Sequence, residues 1–159
     1  MKELDEILYD ALCADSALME AVGNRVRSTC FEVSPDEKDN TPLPCIIVTD
    51  DGWQNTPGIK DNVWESEEDT VTASIDIDAK SPKQVKRLVR MARRAIANYI
   101  ATIDSSGKDT PYLESVQSDG IDWDWKKPCY YEIVSFTCKM ENDYEEEVTT
   151  TTEEQTGSN

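Results

Sequence analysis

Residues 70–103 read TVTASIDIDAKSPKQVKRLVRMARRAIANYIATI, and the fold turns on this stretch. Val71, Ala73, Ile75, Ile77 and Ala79 alternate with Thr72, Ser74, Asp76 and Asp78, the period-2 pattern of a half-buried strand. Ser81-Pro82 then supplies a helix start, with Ser as N-cap and Pro at the first helical position. Val85, Leu88, Val89, Ala92, Ile96, Tyr99, Ile100 and Ile103 recur at helical spacing and form one apolar face. The opposite face carries Lys83, Lys86, Arg87, Arg90, Arg93 and Arg94. One strand thus feeds one long amphipathic helix with a cationic outer side.

That side is at odds with the rest of the chain. Seven basic residues and no acidic one lie between Lys80 and Arg94, while the 159-residue chain has a formal net charge of −17. Without the stretch the charge is −24. A length of 159 residues predicts one domain with a real core. The apolar runs are a few residues long, far short of the ~20 needed to span a bilayer. Met1-Lys2-Glu3 leads into an amphipathic helix and not into a signal peptide, so the expected location is the cytoplasm.

The chain has no histidine, which excludes Ser-His-Asp and Cys-His hydrolases. Its five cysteines (Cys13, Cys30, Cys45, Cys129 and Cys138) form no C-x-x-C pair and sit in or beside apolar segments. They read as buried reduced thiols and not as a zinc site. No catalytic motif or cofactor fingerprint is present, so the expectation is a protein that is not an enzyme and carries no cofactor.

Working outward, Leu4, Ile7, Leu8, Ala11 and Leu12 predict a first helix over about residues 2–14. Asp15 or Ser16 caps a short second one, and Gly23-Asn24 ends it. Residues 25–33 read as a strand, and 45–48 as a short central strand covered on both faces. Asp50-Asp51-Gly52 marks a turn or bulge, and residues 53–69 read as a long irregular excursion. Within it Trp53, Ile59 and Trp64 either cover the sheet or dock on a neighbouring subunit. Strands follow at 112–116 and 121–125, then a Lys126-Lys127-Pro128 turn and a return strand at 129–140. Residues 1–141 therefore form a single α+β domain: a mostly antiparallel sheet with the long helix and an N-terminal helix packed on it. Residues 142–159 have almost no apolar side chain and are predicted to be a disordered acidic tail.

The basic helix face has three readings. Phosphate contact is disfavoured, because the surrounding negative charge repels a polyanion. A purely solvated face leaves like charges repelling along the helix. Contact with an acidic protein surface fits best, and other copies of the chain offer such a surface. A basic patch meeting a different acidic patch is a head-to-tail contact, which closes into a ring when the rotation permits. Two smaller constellations read more plainly. Asp76 and Asp78, like Asp122 and Asp124, read as solvated or Lys/Arg-paired carboxylates before they read as a metal site, and Trp123 and Trp125 read as core aromatics.

The run Ala11 to Leu18, followed by Val22-Gly23-Asn24-Arg25-Val26, resembles the opening of the small tail-completion or tail-terminator proteins of long-tailed bacteriophages and prophages. Pro42-Leu43-Pro44 before Cys45-Ile46-Ile47-Val48, and the strand at 71–79 running directly into a long helix, are similar to the same family. The likeness spans about residues 4–103, with a weaker match to about 140. It implies an α+β protomer forming a hexameric ring that caps the tail tube, partnered by the tube protein and the head-side connector, first in the bacterial cytoplasm and then in the virion tail. The expected subunit-interface residues are Lys83, Lys86, Arg87, Arg90, Arg93, Arg94, Trp53 and Trp64. Two rivals remain: an acidic nucleic-acid mimic that occupies a basic protein, and a metal nuclease built on Asp76 and Asp78.

Overall fold

In the computed structural model, which describes residues 2–28, 41–56, 68–105 and 110–141, eight elements follow in chain order. They are α1 (Leu4–Ala14), α2 (Ser16–Ala21), β1 (Val26–Ser28), β2 (Cys45–Asn55), β3 (Glu68–Ala79), α3 (Pro82–Ser105), β4 (Tyr112–Asp124) and β5 (Cys129–Glu141). Local chemistry sets the helix ends. Asp15, not Ser16, caps α2, its Oδ1 accepting from the Leu18 N–H at 2.9 Å. Ser81 Oγ accepts from the Gln84 N–H at 3.2 Å, and Gln84 Oε1 takes the Lys80 N–H at 3.3 Å. Together these close a reciprocal box around the start of α3.

The strands form one sheet in the order β1-β2-β3-β5-β4, antiparallel except for the β1–β2 pair. The fold is α+β, as the sequence predicts, but β1 runs parallel to β2 instead of forming a hairpin with it. The connection of residues 29–44 is long enough for a parallel return, which a short turn does not permit. The helices cover one face of the sheet only. Ile46 and Val48 (β2), Ile75 and Ile77 (β3) and Val134 and Phe136 (β5) bury against Leu8 and Leu12 (α1) and Val85, Leu88, Ala92 and Ile96 (α3). Each such Val, Leu, Ile or Phe side chain contributes about 1.5–3 kcal/mol relative to exposure. β2 is thus helix-covered on one face, not two, and Ile47 on its other face is half-buried.

Two strand boundaries differ from expectation for one reason: a β-bulge absorbs an extra residue without ending the pairing. Asp50-Asp51-Gly52 is such a bulge, with the Gly52 N–H donating to Asp50 Oδ1 at 2.9 Å. The β2–β3 ladder resumes beyond it at Trp53–Val71 and runs to Asn55–Asp69. Trp53, Gln54 and Asn55 are therefore strand, not loop. A second bulge between Ser118 and Ile121 merges the two expected strands into the single β4. Gly120 sits there at φ 90°, a conformation that glycine adopts without strain. Residues 29–33, including Cys30 and Phe31, residues 57–67, including Ile59 and Trp64, and the predicted tail at 142–159 lie outside the described residues. No described helix is long and apolar enough to cross a membrane.

Candidate assembly interface

α3 lays Val85, Leu88, Val89, Ala92, Ala95 and Ile96 on the sheet, which turns Lys83, Lys86, Arg87, Arg90, Arg93 and Arg94 outward, all exposed. The six occupy the first half of the helix, where the macrodipole is positive, and the first turn holds no acid. Lys83–Arg87, Lys86–Arg90 and Arg90–Arg94 are like-charge pairs at i, i+4, each unfavourable by about 0.2–0.5 kcal/mol. No ion pair joins any of the six to a carboxylate of the described residues. The acids of the described residues thus leave this face uncompensated, a local cost that an acidic segment or partner would relieve.

Grooves flank the face. Toward α2, Lys83, Arg87, Arg90, Met91 and Arg94 border one of about 470 Å³ with Asp15 and Ala17. Toward the sheet edge, Arg90, Arg93 and Arg94 rim a second of about 470 Å³, floored by Ile96, Leu113, Val116 and Phe136. Leu113 is 38% exposed there. Sequence reading missed this second groove, because it joins α3 to β4 across the fold. The local signal was Leu113 and Val116 on a largely polar stretch of the edge strand.

Of the two predicted interface tryptophans, Trp53 stands 66% exposed at the outer end of the β2–β3 ladder, so it does not fold back over the sheet. Trp64 lies outside the described residues. Trp125, read as core from its spacing, is 86% exposed. It falls just past the end of β4, in the turn, and rests edge-on to Trp123 with ring centroids 6.0 Å apart. Trp123 itself packs edge-on against Tyr130 at 4.8 Å.

The uncovered sheet face carries Asp76 and Asp78, opposite in the pleat to Ile75 and Ile77. They are not a solvated pair. Asp78 Oδ2 receives the Lys127 ammonium at 3.4 Å and the Cys45 thiol at 3.8 Å. Burial first, then a hydrogen bond to Asp78, pushes the Asp76 carboxyl up to about 8. Asp122 first, then burial and Asp124, raises the facing Tyr131 phenol. Beside this cluster Cys129 is pushed up to about 12, by burial first and Asp78 second; on the helix-covered face burial raises Cys138 to about 11, so neither thiol ionises near neutral pH. Cys13, Cys45, Cys129 and Cys138 are all free thiols. Among the described residues, no group of three or more Cys, Asp or Glu side chains is arranged to hold a metal ion.

No protein-family model matches the chain, and no curated protein matches it significantly. Among solved structures, the fold is similar to that of a chain in the virion of a native gene transfer agent (GTA) particle. The TM-score is 0.51 at 17% identity, covering 87% of this chain and 95% of that one. At that identity the likeness speaks to fold alone.

Proposed function

We propose that the protein is a structural component of a phage-like virion, and more specifically a ring-forming tail terminator without enzymatic activity. The observation that carries the reading is the cationic face of α3, which no described carboxylate neutralises. A second copy supplies what it lacks: Asp119 and Asp122 stand exposed along β4, the edge strand of the sheet. A contact between unlike patches is heterologous, and six copies closing it make a ring. In this reading Trp53, 66% exposed near the end of its ladder, supplies an apolar contact to a neighbour. The fold likeness to a chain of a gene transfer agent virion supports the same class. In this reading the ring caps the tail tube, meets the head-side connector, and is made in the bacterial cytoplasm before joining the tail.

The rivals lose support on particular residues. A nucleic-acid mimic needs one continuous track of carboxylates, whereas the exposed acids of the described residues are spread over α1, α2, β2, the start of β3, the end of α3, β4 and the end of β5. A nuclease on Asp76 and Asp78 needs two open carboxylates, whereas Asp78 holds the Lys127 ammonium and Asp76 holds a proton below about pH 8. The test is a particle-producing host carrying an epitope-tagged copy of the gene. Gold label at the head-proximal end of the tail, and overlong tubes when the gene is deleted, are expected. Label on the capsid shell, or tubes of normal length in the deletion, would overturn the proposal.

A further inference from the structure

The groove between α3 and β4 has an apolar floor and an arginine rim, so its natural ligand is an acidic segment with apolar side chains. The chain contains one. Residues 142–159 hold six acids and no base, and Tyr144 and Val148 bracket three consecutive glutamates, Glu145 to Glu147. We propose that Tyr144–Val148 docks into this groove in the same chain, seating Tyr144 and Val148 on Leu113, Val116 and Phe136 and setting the glutamates against Arg90, Arg93 and Arg94.

Reach and direction agree. β5 ends at Glu141, three residues beyond Cys138, the partner of Leu113 in the ladder, a span of about 10 Å. Tyr144 is three residues past Glu141, a stretch that spans at most ~10 Å, so a chain that turns back brings Tyr144 toward the Leu113 end of the groove. The four residues from Tyr144 to Val148 give enough chain to reach Val116 and Phe136, which face each other across the β4–β5 ladder. The charge balance is local as well: three glutamates on the segment meet three arginines on the rim of the groove.

Docking also occupies Arg90 and Arg94, so the segment competes with a neighbouring copy for that face. This consequence, unlike the docking itself, rests on the assembly reading.

The test compares full-length ¹⁵N-labelled chain with the E145Q/E146Q/E147Q variant by NMR, at about 20 mM and about 0.5 M salt, where the screening length shortens roughly fivefold. In the unmodified chain at low salt, the Tyr144–Val148 amides are expected to show heteronuclear NOEs like those of β5. The Ala97, Leu113 and Val116 resonances should shift in the variant and at high salt, independently of protein concentration. Free-chain NOEs at 144–148 in low salt would overturn the proposal, as would shifts that scale with concentration, which assign the groove to a second copy. Sedimentation of the same samples reads assembly separately. Docking without any change in association upholds the latch and counts against the ring contact instead.

Discussion

Lys127 Nζ lies 3.4 Å from Asp78 Oδ2, in a pair whose side chains are 14% and 7% exposed. The two residues are 49 positions apart, and the β4–β5 turn carries the lysine to the far end of β3. A buried charge that loses its partner is costly, so Lys127→Met is expected to destabilise the fold by about 3 kcal/mol in urea titrations at neutral pH. A loss below about 0.5 kcal/mol would show the pair to be incidental.

Asp76, beside that pair, gives a signed pH dependence. Its carboxyl is raised to about 8, by burial first and Asp78 second, with Lys127 opposing and Asp124 adding to the rise. The folded chain therefore keeps a proton that the unfolded chain releases near pH 4. Stability from this group is complete below about pH 4 and is lost as pH rises through about 8. Asp76→Asn, which still donates to Asp78 but does not titrate, is expected to flatten the decline between pH 5 and 9 and to gain about 1 kcal/mol at the upper end. Identical slopes in the two proteins would contradict this.

Gly23 precedes a tight closure. It sits at φ 59°, and a Cβ there would come within 2.6 Å of Arg25 Nη1. Arg25 has little room to yield, because its Nε donates to the Pro44 carbonyl at 2.9 Å and its Nη2 to that of Leu43 at 3.3 Å. Gly23→Ala is expected to cost about 1–3 kcal/mol, combining backbone strain with the displaced guanidinium. Chemical denaturation measures it.

Two large side chains separate packing from exposure. Ile96 is fully buried beneath α3, so Ile96→Ala is expected to lower stability by about 2–5 kcal/mol. Trp125, 86% exposed, should tolerate Trp125→Ala within about 0.5 kcal/mol. Thermal melts of both variants check the contrast.

Trp53 is the more informative tryptophan. At 66% exposure it contributes little to the fold, so Trp53→Ser should leave the melting temperature nearly unchanged while weakening self-association. A variant that associates as the parent does would remove Trp53 from the interface.

What could be read in advance was local. Ser81-Pro82, Asp15 and the alternation of 71–79 each act within a few residues, and each stands where it was expected. The outward cations of α3 were equally legible, because helical periodicity alone assigns the two faces. The bulges were only half legible: Asp50-Asp51-Gly52 read as a turn or a bulge, and the one at Gly120 as a break between strands, since a glycine can as well end a strand as kink one until its partner is known. The parallel β1–β2 pairing, the Lys127–Asp78 pair and the groove under Leu113 are all long-range, and nothing in their own segments announces them.

The measurement that bears most directly on the free cationic face is sedimentation velocity over a concentration series at low salt, comparing the parent chain with Arg90→Glu/Arg94→Glu. The parent is expected to gain mass with concentration and to lose that gain at high salt, while the double variant stays at the monomer mass of 17.9 kDa. If the two proteins associate identically, the α3 face does not hold the subunits together.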